Sequence, residues 1–229
     1  MKIAVRFRLL LPLLVLLGAG CDQYLPDTEP DFLREFQLFP DEVYMYNGGA
    51  PDTRIRFDPL INDSIRTTVR VSYSQPGHGR LELMADGGTY YIPDKDFYGT
   101  EPITYTACSD RNCQSQQMQI IVEKPLDPNN CVTTLGADSL QTARNTPKGI
   151  RIFLNDVICA PQRTGISVYK PEKGTFSTVS YSGSLKNTIY IYTPPKDFTG
   201  RDSFRYRVHP DPDRYDKVYL EAVVHVSVQ

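Results

Sequence analysis

One stretch of this 229-residue chain is written twice. Tyr91-Ile92-Pro93-Asp94-Lys95-Asp96-Phe97-Tyr98-Gly99-Thr100-Glu101-Pro102-Ile103-Thr104-Tyr105 returns 101 residues later as Tyr192 through Tyr206. The Tyr, Pro, Lys, Asp, Phe, Gly and closing Tyr keep their places. Upstream, Asn62-Asp63 returns as Asn155-Asp156, and Pro76 and Gly79 return as Pro171 and Gly174. Landmarks in the same order, with offsets that grow along the chain, mean a duplicated unit whose second copy has longer loops. Each copy is about 95–100 residues, the size of one β-sandwich. The predicted boundaries are 36–123 for the first copy and 131–229 for the second. Lys124-Pro125-Leu126-Asp127-Pro128-Asn129-Asn130 (124–130) is the link, and its two prolines restrict it.

Within each copy the hydrophobic period is two. Ile103, Tyr105 and Ala107 alternate with polar residues, as do Met118, Ile120 and Val122, and as do Phe204, Tyr206 and Val208. From Val218 to Val228 every even position is apolar. This is the pattern of half-buried antiparallel strands, and Pro and Gly punctuate it. No stretch after the N-terminal segment has a helical period, so the fold class is all-β.

The N-terminus is of another kind. Lys2, Arg6 and Arg8 precede a run from Leu9 to Leu17 that is Leu or Val except at Pro12. Gly18-Ala19-Gly20-Cys21 follows. A basic start, a short apolar run and small residues make an export signal, 1–20, too short to span a bilayer as a helix. Small residues before a Cys resemble the cleavage site of bacterial lipoproteins, although Gly18 stands where that family usually has Leu. The resemblance implies that Cys21 is lipidated and becomes the new N-terminus. Residues 21–35 are acidic and hold two prolines, and read as a tether. Asp22 resembles an inner-membrane retention signal of some bacteria, whereas acidic residues here favour the cell surface in others. The expected location is the cell envelope, at the outer membrane or surface rather than the inner membrane.

The landmarks together carry a second resemblance. Asn-Asp, then Pro-x-x-Gly, then Tyr-x-Pro-x-x-Asp-Phe-x-Gly, ending in Phe-x-Tyr in the second copy, resembles the bacterial Ig-like repeats of the cadherin-like type. The resemblance implies two tandem seven-stranded Ig-like β-sandwiches. The chain has no Trp, so the Trp-on-disulfide core of antibody domains is missing. Asn62, Asp63, Asn155 and Asp156 are read as structural. In Asp96-Phe97-x-Gly99 and Asp197-Phe198-x-Gly200 the Phe is expected to plug the end of the sandwich, the Gly to take a positive φ, and the Asp to accept backbone hydrogen bonds in the turn.

Apart from Cys21 there are four cysteines, an even number in an exported chain. Cys108 and Cys113 flank a predicted hairpin tip and fall on one face, opposite each other, as a disulfide requires. Cys131 and Cys159 then pair within the second copy, tying its first strand to the loop after Asn155-Asp156. Loop-closure entropy gives about 2 kcal/mol for the short loop and about 3.5 kcal/mol for the long one. A four-Cys metal site is disfavoured because the pairs fall in different domains and lack Cys-x-x-Cys spacing.

Catalytic chemistry is not written here. His78, His209 and His225 are scattered, and the phosphate-loop, Gly-x-Ser-x-Gly and His-Glu-x-x-His motifs are missing. The expectation is no enzyme, no cofactor and no metal. The cadherin-like resemblance brings in calcium, but the oxygen-rich stretch after Asn-Asp is missing from both copies. Asp211, Asp213 and Asp216 in one loop are the remaining candidate calcium ligands, and solvated loop aspartates are the preferred reading. Charge is balanced, with 25 Lys+Arg against 27 Asp+Glu, which excludes a nucleic-acid binder. The expected function is a non-catalytic envelope lipoprotein serving adhesion, interaction or spacing, anchored by its lipid, with a protein or glycan partner. One alternative is a carbohydrate binder using exposed tyrosines such as Tyr44, Tyr46, Tyr190 and Tyr192; another is an accessory domain of an enzyme.

Overall fold

The computed structural model describes residues 35–50, 53–85, 88–127, 129–159, 161, 164–180, 184–210 and 218–229. The signal segment, Cys21, all of the tether before Glu35, and Asp211, Asp213 and Asp216 lie outside the described residues. Residues Glu35–Gln229 form one compact unit, built from two β-sandwiches.

The first sandwich holds β1 (Phe36–Gln37), β2 (Asp41–Tyr46), β3 (Ile55–Phe57), β4 (Ser64–Ile65), β5 (Arg70–Tyr73), β6 (Gly79–Leu83), β7 (Thr89–Pro93), β8 (Gly99–Cys108) and β9 (Cys113–Glu123). A four-stranded sheet β2-β9-β8-β5 faces a three-stranded sheet β3-β7-β6, and β1 pairs with β4 beside them. The second holds β10 (Asp138–Thr142), β11 (Lys148–Ile150), β12 (Gly165–Val168), β13 (Thr175–Ser180), β14 (Thr188–Thr193), β15 (Gly200–His209) and β16 (Leu220–Val228). Its sheets are β10-β16-β15-β12 and β11-β14-β13, the same order as in the first. Both are thus seven-stranded Ig-like sandwiches, with β1 and β4 an addition to the first. Among the described residues the one helical turn is the 3-10 turn Leu185–Asn187.

One pairing departs from the antiparallel expectation. The first strand of each sandwich runs parallel to the last, β2 with β9 and β10 with β16. A parallel neighbour needs a long connection, and here the rest of the domain provides it.

The alternation read in the sequence sets the cores. Ile103, Tyr105 and Ala107 on β8 meet Met118, Ile120 and Val122 on β9, all buried, with Val43, Ile55, Phe57 and Tyr91 from other strands. In the second sandwich Phe204, Tyr206 and Val208 meet Val224, Val226 and Val228, with Phe153, Tyr190 and Tyr192. At about 25 cal/mol per Å² of apolar surface removed from water, each of these large side chains contributes on the order of 1.5–3 kcal/mol. Disulfides join Cys108 to Cys113 across the tip of the β8–β9 hairpin and Cys131 to Cys159 in the second sandwich. Cys131 lies ahead of β10 rather than on the first strand, near the bridge between Thr134 and Val157.

Candidate functional site

The duplicated motifs converge on two constellations per sandwich. In the first constellation the Asn-Asp pair clasps the entry to the first strand. Asp63 Oδ1 accepts the Phe39 N–H at 2.7 Å, and the Asn62 side chain donates to the Pro40 carbonyl at 3.1 Å. In the second copy Asp156 Oδ1 accepts the Gly136 N–H at 2.7 Å, and Asn155 donates to the Ala137 carbonyl at 2.9 Å. The closing Tyr of the long motif completes the clasp from inside. Tyr105 donates its hydroxyl to Asp63 Oδ2 at 3.2 Å and to the Phe39 carbonyl at 3.0 Å. Tyr206 donates to Asp156 Oδ2 at 2.8 Å and to Asp138 Oδ2 at 3.2 Å.

Asp41 and Asp138, the first residues of β2 and β10, are the buried acids that face these clasps, and sequence reasoning missed both. Burial, and then the charge of Asp63, push the Asp41 carboxyl up to about 7. Burial raises Asp138 to about 6 against the lowering effect of the Tyr206 hydrogen bond, and the Asp156 charge adds to the rise. Asp63 and Asp156 are raised too, by burial. Two carboxyls around one phenol oppose each other's ionisation, which gives the structural clasp a titratable centre. Their signal in the sequence is a pair of acids at matching strand starts, visible once the copies are aligned.

The second constellation holds the Pro-x-x-Gly turn. Glu101 is buried at 2% exposure and accepts the N–H groups of Gly77 and His78 at 2.8 and 2.9 Å, with His78 Nδ1 at 3.1 Å. Asp202 accepts from the N–H of Gly174 at 2.8 Å and of Lys173 at 3.2 Å, and from the Tyr192 hydroxyl at 2.8 Å. Burial opposes the charge on Asp202, but the donors from Gly174, Tyr192, Ser203 and Lys173 outweigh it and hold the carboxyl below its ordinary value. Glu101 reaches the turn with one more methylene, and the Tyr91 hydroxyl donates instead to the His78 carbonyl. The turn glycine has no room for a side chain: a Cβ on Gly174 would lie 2.5 Å from the Tyr192 ring.

Asp96-Phe97-x-Gly99 and Asp197-Phe198-x-Gly200 join the sheets, between β7 and β8 and between β14 and β15. Phe97 and Phe198 pack on the two cores, and Gly99 and Gly200 have φ of 147° and 123°. The role expected of the aspartates needs correction. Asp96 and Asp197 themselves adopt positive φ, 63° and 59°. The Asp197 carboxylate accepts from the Asn145 side chain at 3.0 Å rather than from the turn backbone. Asp is tolerated in this left-handed region better than most residues, which accounts for its place in the motif.

The tyrosine platform also needs correction. Tyr190 and Tyr192 are buried in the second core. Tyr44 lies at the joint between sandwiches, with Lys186 Nζ 5.5 Å and Arg151 Cζ 6.0 Å from its ring centre. Here the edge strand β2 meets the second sandwich. Arg151 donates to the Glu42 carbonyl at 2.8 Å, and Lys186 pairs with Glu123 at 2.6 Å. The histidines do not converge: His78 stacks on Phe97, His209 is buried, and His225 is exposed on β16. Among the described residues no three of His, Cys, Asp and Glu are grouped to hold a metal ion.

One exposed array was not foreseen. On the outward face of β15, Arg205 lies with its Cζ 4.8 Å from the Tyr169 ring centre. Arg207 Cζ is 5.2 Å from that ring and 4.1 Å from the Tyr219 ring. Glu221 on β16 accepts from Arg207 Nε at 2.6 Å and lies 3.9 Å from Arg205 Nε. The alternation Arg201, Ser203, Arg205, Arg207 on the polar side of the strand was its signal.

The strand order and sandwich geometry define an Ig-type protein. Residues 42–123 match the family model of the bacterial Ig domain, so the first sandwich is of that type. The second repeats its order of strands. The sequence matches no curated protein. Similar solved structures include an endo-fucoidan hydrolase of glycoside hydrolase family 107, at 12% identity over 82% of this chain, with a TM-score of 0.33. This chain covers 28% of that hydrolase. Human protocadherin-24 EC1-2 is 12% identical over 85% of this chain and 96% of its own, with a TM-score of 0.31. Drosophila N-cadherin EC1-4 is 15% identical over 86% and 50%, with a TM-score of 0.29.

Proposed function

We propose that this protein is a non-catalytic interaction or spacer module of the bacterial cell envelope, held at the membrane by a lipid on Cys21. The observation that carries the reading is the use of the duplicated polar residues. Asn62, Asp63, Tyr105 and Glu101, and their counterparts Asn155, Asp156, Tyr206 and Asp202, bond to backbone and to one another. The motif chemistry is thereby spent on holding two sandwiches in shape. The basic start, short apolar run and Gly18-Ala19-Gly20-Cys21 support export and lipidation, and the acidic tether supports a body held clear of the bilayer. A location at the outer membrane or the cell surface fits that anchor.

Fractionation of cells carrying Cys21→Ser tests the anchor. The substituted protein should leave the membrane fraction; retention at the wild-type level would mean that the apolar run is itself the anchor. Crosslinking in intact cells tests the interaction role, and the expected product is a defined adduct with an envelope protein or glycan.

A further inference from the structure

We propose that the outward face of β15 and β16 is a binding site for an anionic polysaccharide. Its carboxylate or sulfate groups would meet Arg201, Arg205 and Arg207, and its hydroxyls the polar side chains beside them. The assignment rests on reading the protein as an interaction module and names the class of its partner.

The duplication supplies an internal control. Arg201, Arg205 and Arg207 stand where the first sandwich has Thr100, Thr104 and Thr106, each 101 residues earlier. Both rows lie on the outward side of the same strand of the same fold. The sandwich is therefore satisfied by threonine at these positions, so the shared fold does not itself require arginine there. They also carry a cost. Residues at i and i+2 on one face of a strand are roughly 6.6 Å apart, so the Arg205 and Arg207 guanidiniums repel one another, and Arg201 adds a third positive charge beyond Ser203 on the same face. Glu221 pairs with two of them. Lys170, beside Arg205, and Lys173, whose Nζ donates to the Arg201 carbonyl, add positive charge against Glu172, the one further acid there among the described residues. In a chain of net charge -2, this face holds an excess of cations that an anionic ligand would relieve.

The arginines are also arranged before any ligand arrives. Tyr169 and Tyr219 hold the Arg205 and Arg207 planes by stacking, and Glu221 fixes the Arg207 edge. A planar guanidinium held in this way keeps N–H groups free for a second carboxylate or a sulfate. Two shallow hollows flank the row on the same sheet. One, of about 350 Å³, is lined by Tyr169, Lys170, Ser203 and Arg205 together with the carboxylates of Glu172 and Glu221. The other, of about 390 Å³, is lined by Ser139, Gln141, Arg201, His225 and Ser227, with Asp202 beneath them, buried and bonded to the Gly174 N–H. They meet at the register pair Ser203 and His225, so a chain laid across the strands passes from one to the other. Serine hydroxyls and the Gln141 amide lie among the arginines there, and the Glu172 and Glu221 carboxylates can accept from sugar hydroxyls, which suits a polyhydroxylated anion. Protein partners are anchored by clustered aromatic or aliphatic side chains. On this face the Tyr169 and Tyr219 rings lie against the guanidiniums, and Val223 is the one large aliphatic side chain exposed on β15 and β16.

Affinity electrophoresis of the detergent-solubilised full chain tests the site, with dextran sulfate and polygalacturonate in the gel and neutral dextran and poly-glutamate as comparisons. Retardation is expected with one or both acidic polysaccharides, weakening as salt rises, and none with dextran. Which acidic polymer retards distinguishes sulfate from carboxylate. R205T/R207T, which restores what the first sandwich carries, should weaken retardation at least tenfold while the protein stays folded, with a cooperative melt. R201T alone gives the same test with the stacked pair intact. Equal retardation of wild type and both variants would overturn the site, and retardation by poly-glutamate alone would overturn the ligand class. If no acidic polysaccharide binds but crosslinking in cells still captures a partner, the site assignment fails and the interaction role stands. If both fail, the broader reading falls with it.

Discussion

Asn187 bonds to the backbone of Tyr44 through both atoms of its side-chain amide: the Tyr44 N–H donates to Asn187 Oδ1 and Asn187 Nδ2 donates to the Tyr44 carbonyl, each at 2.7 Å. Tyr44 sits on β2, at the edge of its sheet. An edge strand presents unpaired N–H and C=O groups that invite association with other chains. Here one side chain from the second sandwich satisfies such a pair and is itself completely buried. The turn that delivers it is capped by Ser184, whose side chain accepts the Lys186 N–H.

Asn187→Ala should therefore loosen the joint. The two Tyr44 groups would lose their partners, at about 1–3 kcal/mol for each that stays buried. Small-angle scattering should show a larger radius of gyration than wild type, and the thermal melt should broaden towards two transitions. An unchanged scattering curve would mean that Arg151 and Lys186 hold the joint without the amide.

Much of the fold was legible because it is periodic. The alternation along β8, β9, β15 and β16 identified the inward residues, and the 101-residue repeat identified two equivalent units. Periodicity reports which face a residue shares and not what lies across the sandwich. Asp41 and Asp138 were missed for that reason: Tyr206 bonds to Asp138 across 68 residues, from another strand. The same limit misplaced Tyr190 and Tyr192. Alternation with Ile189 and Ile191 left two apolar-looking faces, and Tyr192 turned inward because Asp202 satisfies its hydroxyl. Asn187, 143 residues from Tyr44, leaves no local signal at all.

The Pro-x-x-Gly turn makes a sharper test. A Cβ on Gly174 would sit 2.5 Å from the Tyr192 ring and 2.7 Å from the Thr193 carbonyl. Tyr192 is fixed by its bond to Asp202, so the ring has no room to retreat. Gly174→Ala should lower stability by about 1–3 kcal/mol, as overpacking does. Gly48→Ala is the control, because its nearest neighbour is 4.0 Å away, and it should change the melting temperature little. Equal effects would show that the turn yields.

Tyr105→Phe and Tyr206→Phe remove one oxygen each and leave the cores filled. The acids of the clasp lose their shared donor, and each change should destabilise its sandwich by about 1–3 kcal/mol in a chemical denaturation curve. The loss should be larger at pH 8 than at pH 5, because ionised carboxylates need the hydroxyl more than protonated ones do. A pH-independent loss would place the hydroxyl's value in its carbonyl contacts, Phe39 and Ile152.

The clasp acids give stability an unusual sign. An unfolded Asp titrates near 3.9, whereas Asp41 in the folded protein is raised to about 7 and Asp138 to about 6. Between about pH 4 and pH 7 the folded state therefore binds more protons than the unfolded one. Unfolding free energy falls with pH wherever the native state holds the extra protons. The stabilisation from these groups is present in full below the unfolded value and is lost as pH rises through about 6 and then about 7. Asp202 works in the opposite sense but only at lower pH, since its carboxyl is depressed. Thermal melts should thus show a melting temperature several degrees higher at pH 5 than at pH 8. Asp41→Asn together with Asp138→Asn should flatten that slope, because a neutral amide cannot titrate. A melting temperature that rises from pH 5 to pH 8 would show that these acids are ionised in the folded protein, and a slope that survives both substitutions would assign it to Asp63 and Asp156, whose carboxyls burial also raises.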